Sequence, residues 1–160
     1  MSSASDKTFD QLVEDLKGGV GMARINAAVQ LGRQHSRRAE GPLIDALLDK
    51  NEGVRSNAAF ALGEIMSKNA VMPLIPLLKD EVERVRKSAA KALGMIGSPE
   101  AAEALMRVLD DPSYIVRKSA ARSLGQIGEK RARPALEKAS QDPDILVAKA
   151  AKEALEKLGK

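Results

Sequence analysis

One leucine column constrains this chain more than any other feature. Leu31, Leu62, Leu93, Leu124 and Leu155 stand 31 residues apart, with no insertion or deletion between any two. Leu12, Leu43, Leu74, Leu105 and Leu136 keep the same step, and so do Ala27, Ala58, Ala89, Ala120 and Ala151. Gly32, Gly63, Gly94 and Gly125 directly follow the first four leucines. Self-similarity at a period of this size marks a stacked-repeat architecture, in which one unit cannot bury its apolar face alone. The period predicts five units, at about 6–35, 36–66, 67–97, 98–128 and 129–159, in a single repeat domain over residues 6–160. Residues 1–5 are expected to be disordered.

Each unit reads as helix–turn–helix. In the second unit Ala39, Leu43, Ala46 and Leu47 fall on one face of a helix, which predicts a first helix over about 39–48. Pro42 and Pro73 sit near helix starts, where a missing N–H costs least. Pro76 comes a turn later and predicts a kink or a late start. Asp49, Asp80, Asp111 and Asp142 end the first helices, and second helices begin near Val54, Val85, Val116 and Val147. Alanine pairs such as Ala58–Ala59 let a neighbouring helix come close. The glycines are read as helix stops, with Ile96–Gly97 and Ile127–Gly128 supplying left-handed turns. Aromatics are 2 % of a chain that is 44 % apolar, which suits closely packed helices better than a sandwich or barrel. The fold class is all-α.

Several functions are excluded at this point. There is no cysteine, so there is neither a disulfide framework nor a thiolate metal site. No run approaches the ~18 uninterrupted apolar residues of a membrane span, and the first residues lack a secretion signal. The expectation is a soluble, cytoplasmic protein. His35 is the single histidine, without a partner to orient it as a base or companions to make it a ligand, and reads as a surface residue at a helix end. No G-x-x-x-x-G-K-[ST] loop is present. Catalytic residues, metal and cofactor are all read as none.

The most regular polar residues are Arg24, Arg55, Arg86 and Arg117, with Ala148 in the last copy, and the aspartates Asp49, Asp80 and Asp111. They fit an anion-binding ladder or a set of pairs tying successive turns together. Appearance once per unit at a framework position favours the pairs.

The pattern D-x(4)-VR-x(2)-AA-x-ALG-x-IG is closely followed by DPSYIVRKSAARSLGQIG, Asp111 to Gly128. It resembles the short HEAT-like repeats of the phycobilisome-lyase type, and the resemblance runs from about Phe9 to Leu158. That resemblance implies a right-handed α-solenoid, an α/α superhelix with first helices convex and second helices concave. Such repeats occur in bilin lyases, hydroxylases, DNA glycosylases and plain scaffolds, so fold alone does not choose among them. The hydroxylases carry paired His-Glu dipeptides, which this chain lacks. The glycosylases rely on groove aromatics, and this chain has no tryptophan.

Specificity is then expected in the irregular columns of the second helix, at positions 22, 25, 29 and 33 and their equivalents. Met22, Ile25, Val29 and Phe60 make that face apolar in the first two copies. Arg84, Lys87, Lys91, Lys118, Arg122 and Lys149 make it basic beyond them. The expected activity is a non-catalytic protein-interaction scaffold whose partner is a peptide or helix with acidic and apolar residues, anchored at Phe60. The plainer readings are an N-terminal core and a solvated helix face.

A nucleic-acid module is the alternative, with Lys130, Arg131 and Arg133 extending the basic track. Glu64, Glu153 and the lack of a stacking platform argue against it. A second alternative is an accessory subunit of a bilin lyase-like system, which predicts binding of a linear tetrapyrrole. At the ends, Ser140, Gln141, Lys152 and Glu156 give copy five a polar face, while Gly18, Gly19 and Gly21 leave copy one less well sealed.

Overall fold

The computed structural model describes residues 7–159, and all the regular structure among them is helical. The expected disorder of residues 1–5 lies outside the described residues. First helices are α1 (Phe9–Gly18), α3 (Glu40–Ala46), α5 (Val71–Leu74), α7 (Ala102–Val108) and α9 (Arg133–Ala139). Second helices are α2 (Gly21–Arg33), α4 (Glu52–Glu64), α6 (Glu83–Ile96), α8 (Tyr114–Ile127) and α10 (Ile145–Gly159). A short 3₁₀ turn precedes each of the last four first helices. At Pro76, which has no N–H to donate, α5 gives way to a second 3₁₀ segment, Ile75–Lys79. No helix among the described residues is long and apolar enough to cross a membrane.

Local chemistry sets the helix starts. Thr8 and Gln11 form a reciprocal capping box on α1. The Asn51 side chain accepts from the Gly53 and Val54 N–H groups, at 2.8 and 3.2 Å, to cap α4. The leucine and alanine columns then bury in one continuous core running from Leu12 to Leu158. Leu155 is the exception in its column and stays half-buried.

The second helices pack one directly on the next along the array. Gly32, Gly63, Gly94 and Gly125 are what permits this, and here the reading of all glycines as helix stops is corrected. They lie inside second helices and are fully buried. A Cβ on Gly63 would stand 2.9 Å from the Ala92 Cα, and one on Gly125 2.9 Å from the Ala154 Cα. Real side chains do not approach a backbone so closely. Each glycine therefore marks where the neighbouring helix crosses, and the side chain at position 33 of the next copy lies over it. Glu64 covers Gly32 in this way, and Met95 covers Gly63. Ser56 and Gly53, expected on the open face, are instead buried, with the Ser56 and Ser88 hydroxyls hydrogen-bonded at 2.8 Å.

A second set of contacts runs through the turns. Arg55 donates from Nε and Nη2 to the two carboxylate oxygens of Asp80, at 2.9 and 3.0 Å. Its Nη1 donates to the Asp49 carbonyl at 2.9 Å, in its own turn. Asp80 in turn accepts from the Val82 N–H at 2.9 Å, bracing the start of α6. The same arrangement links Arg24 to Asp49, Arg86 to Asp111 and Arg117 to Asp142, with Nε–Oδ distances of 2.8 to 2.9 Å. Asp142, which sequence reading took only as a helix breaker, is the fourth acid of the series. The side chains are 7–16 % exposed, so water screens these pairs poorly.

Electrostatics within the series follow from this geometry. The hydrogen bond to the partner aspartate raises Arg55, Arg86 and Arg117, against burial. The Arg117 hydrogen bond holds Asp142 below the usual carboxylate range, against burial and with help from the Asp144 N–H. Burial is the largest influence on Asp80 and raises it. The Arg55 hydrogen bond, the Val82 N–H and the nearby guanidinium charges together outweigh burial and leave it lowered.

The helix ends hold a further departure from the sequence reading. Gly97 and Gly128 are left-handed, with φ of 72° and 73°. Their equivalents His35 and Met66 take the same conformation, with φ of 47° and 50°, despite carrying side chains. A Cβ in this region crowds the following carbonyl, so these two ends store strain that glycine would relieve.

Four measurements check this account. Gly63→Ala should lose up to roughly 2 kcal/mol of stability, the overpacking cost of ~1–3 kcal/mol less the helix-propensity gain of ~1 kcal/mol. Met66→Gly, at an exposed side chain, should gain roughly 0.5–1 kcal/mol in urea melts, strain relief outweighing the added freedom of the unfolded chain. Arg86→Ala should cost roughly 2–3 kcal/mol, between exposed and fully buried pairs, and Arg86→Lys should recover only part of it because lysine cannot bind both oxygens. Lowered aspartates stabilise the fold fully above their unfolded value near ~3.9, and that stability is lost as pH falls through the lower folded value. The Tm should therefore drop below about pH 4, and Asp142→Asn should lower the neutral Tm while flattening the acid-side slope.

Candidate functional site

The turn arginines are fully engaged by aspartates and backbone carbonyls, which leaves other residues to form a binding face. On the second-helix layer, Arg84 and Lys87 stand on α6 with Lys91, and Lys118 and Arg122 on α8. Lys87, Lys118 and Lys149 hold one register position in three consecutive helices, and Lys91 and Arg122 hold the next. Arg84, Lys91, Arg122 and Lys149 are exposed, while Lys87 and Lys118 are half-buried along their stems. Among the described residues, Arg84, Lys87, Lys91, Lys118 and Arg122 reach no carboxylate within 4.0 Å; Lys149 meets Glu153 at 4.0 Å. Unpaired cations at neighbouring positions raise the local potential and favour an anionic ligand.

The apolar side chains of the first copies are placed differently from expectation. Ile25 is half-buried and lies over Gly53, where its Cδ1 would be 2.7 Å from an added Cβ. Val29 and Phe60 are also half-buried. The Lys91 ammonium stands over the Phe60 ring, 4.9 Å from its centroid, so the expected anchor already has a cation on its face. Met22 remains 67 % exposed. Glu64, expected to interrupt the basic stripe, lies back over Gly32 instead.

Further apolar residues stand on the same layer. Tyr114 and Ile115 begin α8, and Ile145 and Leu146 begin α10. Ile115 and Leu146 are equivalents of position 22, Tyr114 and Ile145 lie outside the expected columns, and Ile115 alone of the four is half-buried. A usable signal lay in the sequence: these two columns are apolar in both of the last two copies, whereas copies two and three carry Glu52, Gly53, Glu83 and Arg84. Lys130 and Arg131 lie in the 3₁₀ turn before α9 and Arg133 at its first position, with Arg131 3.3 Å from Glu129. His35 is exposed, its Nδ1 3.4 Å from the Glu64 carbonyl oxygen. Among the described residues, no group of three or more histidine or acidic side chains is placed to hold a metal ion.

Comparison with known proteins gives the fold a family context. A family model of HEAT repeats matches residues 42–114 and 107–160. No curated protein sequence matches the chain. Among solved structures, the complex of CpcE and CpcF of phycocyanin lyase from Nostoc sp. PCC7120 is similar at 28 % identity and a TM-score of 0.88, over 98 % of this chain and 68 % of that one. A designed armadillo repeat protein in complex with peptide (KR)4 aligns at 26 % identity and a TM-score of 0.77, over 94 % and 81 %. A computationally designed armadillo repeat protein for modular peptide recognition aligns at 25 % identity and a TM-score of 0.72, over 93 % and 81 %.

Proposed function

The chain belongs to the HEAT-repeat family, and we propose that it works as a non-catalytic protein-interaction scaffold binding an acidic segment along its second-helix layer. The observation that carries this reading is the row of cations with no carboxylate partner among the described residues: Arg84, Lys87, Lys91, Lys118 and Arg122. They stand on the helices that also carry the paired turn arginines, so framework duty does not account for them. Structural relatives support a protein partner in general. One is a complex of two lyase chains and another holds the peptide (KR)4. That peptide is basic, whereas the face described here is basic itself and calls for the opposite charge in its ligand.

The test is binding of a fluorescein-labelled acidic dodecapeptide, followed by anisotropy at two salt concentrations. Wild type should bind, more weakly at high salt, and Lys91→Glu with Arg122→Glu should weaken binding by at least about tenfold with an unchanged Tm. Equal affinity in the double variant would sink the face assignment. Preferential, sequence-blind capture of duplex DNA with a steep salt dependence would replace this reading with a nucleic-acid one. A new absorbance band on titration with a linear tetrapyrrole would move it to bilin-lyase assistance.

A further inference from the structure

The large apolar side chains most open on the second-helix layer, Met22 apart, stand far along the array from Phe60. Ile145 is 79 % exposed, Leu146 46 % and Tyr114 42 %. Tyr114 and Ile145 hold one register position in consecutive helices, and Ile115 and Leu146 hold the next. One turn further on stand Lys118 and Lys149, and Arg122 follows a turn after Lys118. Residues three and four apart share a helix face, so these apolar pairs and cations form one continuous surface. A depression beside Ile145 is lined by Ala148, which stands where the other copies carry the turn arginine, and by Lys149, Lys152, Glu153 and Glu156. Of the nearby acids, Glu153 and Asp144 are engaged, while Glu156 has no cation or hydrogen-bond partner among the described residues. Glu153 lies 4.0 Å from Lys149, and Asp144 accepts from the Leu146 and Val147 N–H groups at 2.9 and 3.2 Å.

We infer that this corner seats the apolar anchors of the acidic segment, and that the segment carries two large apolar residues spaced to bridge α8 and α10. The inference rests on the acidic-ligand reading above and adds the anchor site and the ligand pattern. Charge complementarity selects the occupant: a neutral apolar partner would leave Lys118 and Arg122 facing it unpaired. Packed helices lie about 8–10 Å apart. An extended segment of the polyproline type rises ~3.1 Å per residue with three residues per turn, so side chains three apart point the same way and match that spacing. Phe60 and Ile25 are poorer seats, since Lys91 and the Gly53 backbone already occupy them.

Two labelled peptides test this, both acidic dodecapeptides of equal charge. One carries two leucines three residues apart, and the other serines in their place. On wild type the leucine peptide should bind about tenfold more tightly, the factor that partial burial of a leucine side chain gives. Ile145→Ser with Leu146→Ser should abolish that difference while leaving the affinity for the serine peptide and the Tm unchanged. Phe60→Ala should leave the difference intact. If both peptides bind wild type equally, or if Phe60→Ala removes the leucine gain, the anchor assignment is overturned while the acidic-ligand reading stands. If neither peptide binds, the acidic-ligand reading falls and the anchor site falls with it.

Discussion

How closely one second helix can approach the next governs the rest of this molecule. A glycine inside a helix costs about 1 kcal/mol relative to alanine, yet four stand at the same register in consecutive second helices. Each lies where the adjoining helix leaves no room for a Cβ. That close approach brings the outward columns of consecutive second helices near one another. Their cations repeat about every 8–10 Å, close to the Debye length of ~8 Å at physiological ionic strength. Neighbouring charges on this layer feel one another, and an anion relieves several of them at once.

The two kinds of arginine on α6 show how framework and function divide. Arg86 and Arg84 are two residues apart, yet one is enclosed between turns with both oxygens of Asp111 and the other is exposed. A planar guanidinium fits the first place because it satisfies a carboxylate and a carbonyl together. The turn-to-turn series does what helix packing alone cannot. Apolar contacts between alanine-rich helices tolerate sliding, whereas two parallel hydrogen bonds to one carboxylate have a single register. The bonds from each aspartate to the N–H two residues on also fix where the next helix starts.

The strict period made the repeat architecture legible, because leucine and alanine columns have one job wherever they recur. The turn at Pro76 was legible for the same reason: a missing N–H acts locally. Features that depend on the neighbouring copy were hidden. The helix-interior glycines look like stops in a string of residues, and only the crossing of the next helix gives them another role. His35 and Met66 share the column of Gly97 and Gly128, but their side chains gave no direct sign that they would keep the left-handed backbone. The irregular columns were legible as a set, but not by exposure: Ile25 and Phe60 read as open and are covered by groups from an adjacent helix, while Ile145, which no column singled out, is open.

The same pairwise logic describes what a junction between the fifth repeat of one copy and the first repeat of another would lack. Each internal junction needs an arginine facing an aspartate, and a glycine facing a small residue. Two copies stacked end to end in register would set Ala148 against Gly18, so the charged rung would be missing from both sides. They would also set Glu156 against Gln30, where internal junctions place glycine against Ala61, Ala92, Ser123 or Ala154. Lys152 and Asn26 add two more exposed polar side chains to those faces. Left without partners in such a junction, those polar groups would each cost roughly 1–3 kcal/mol.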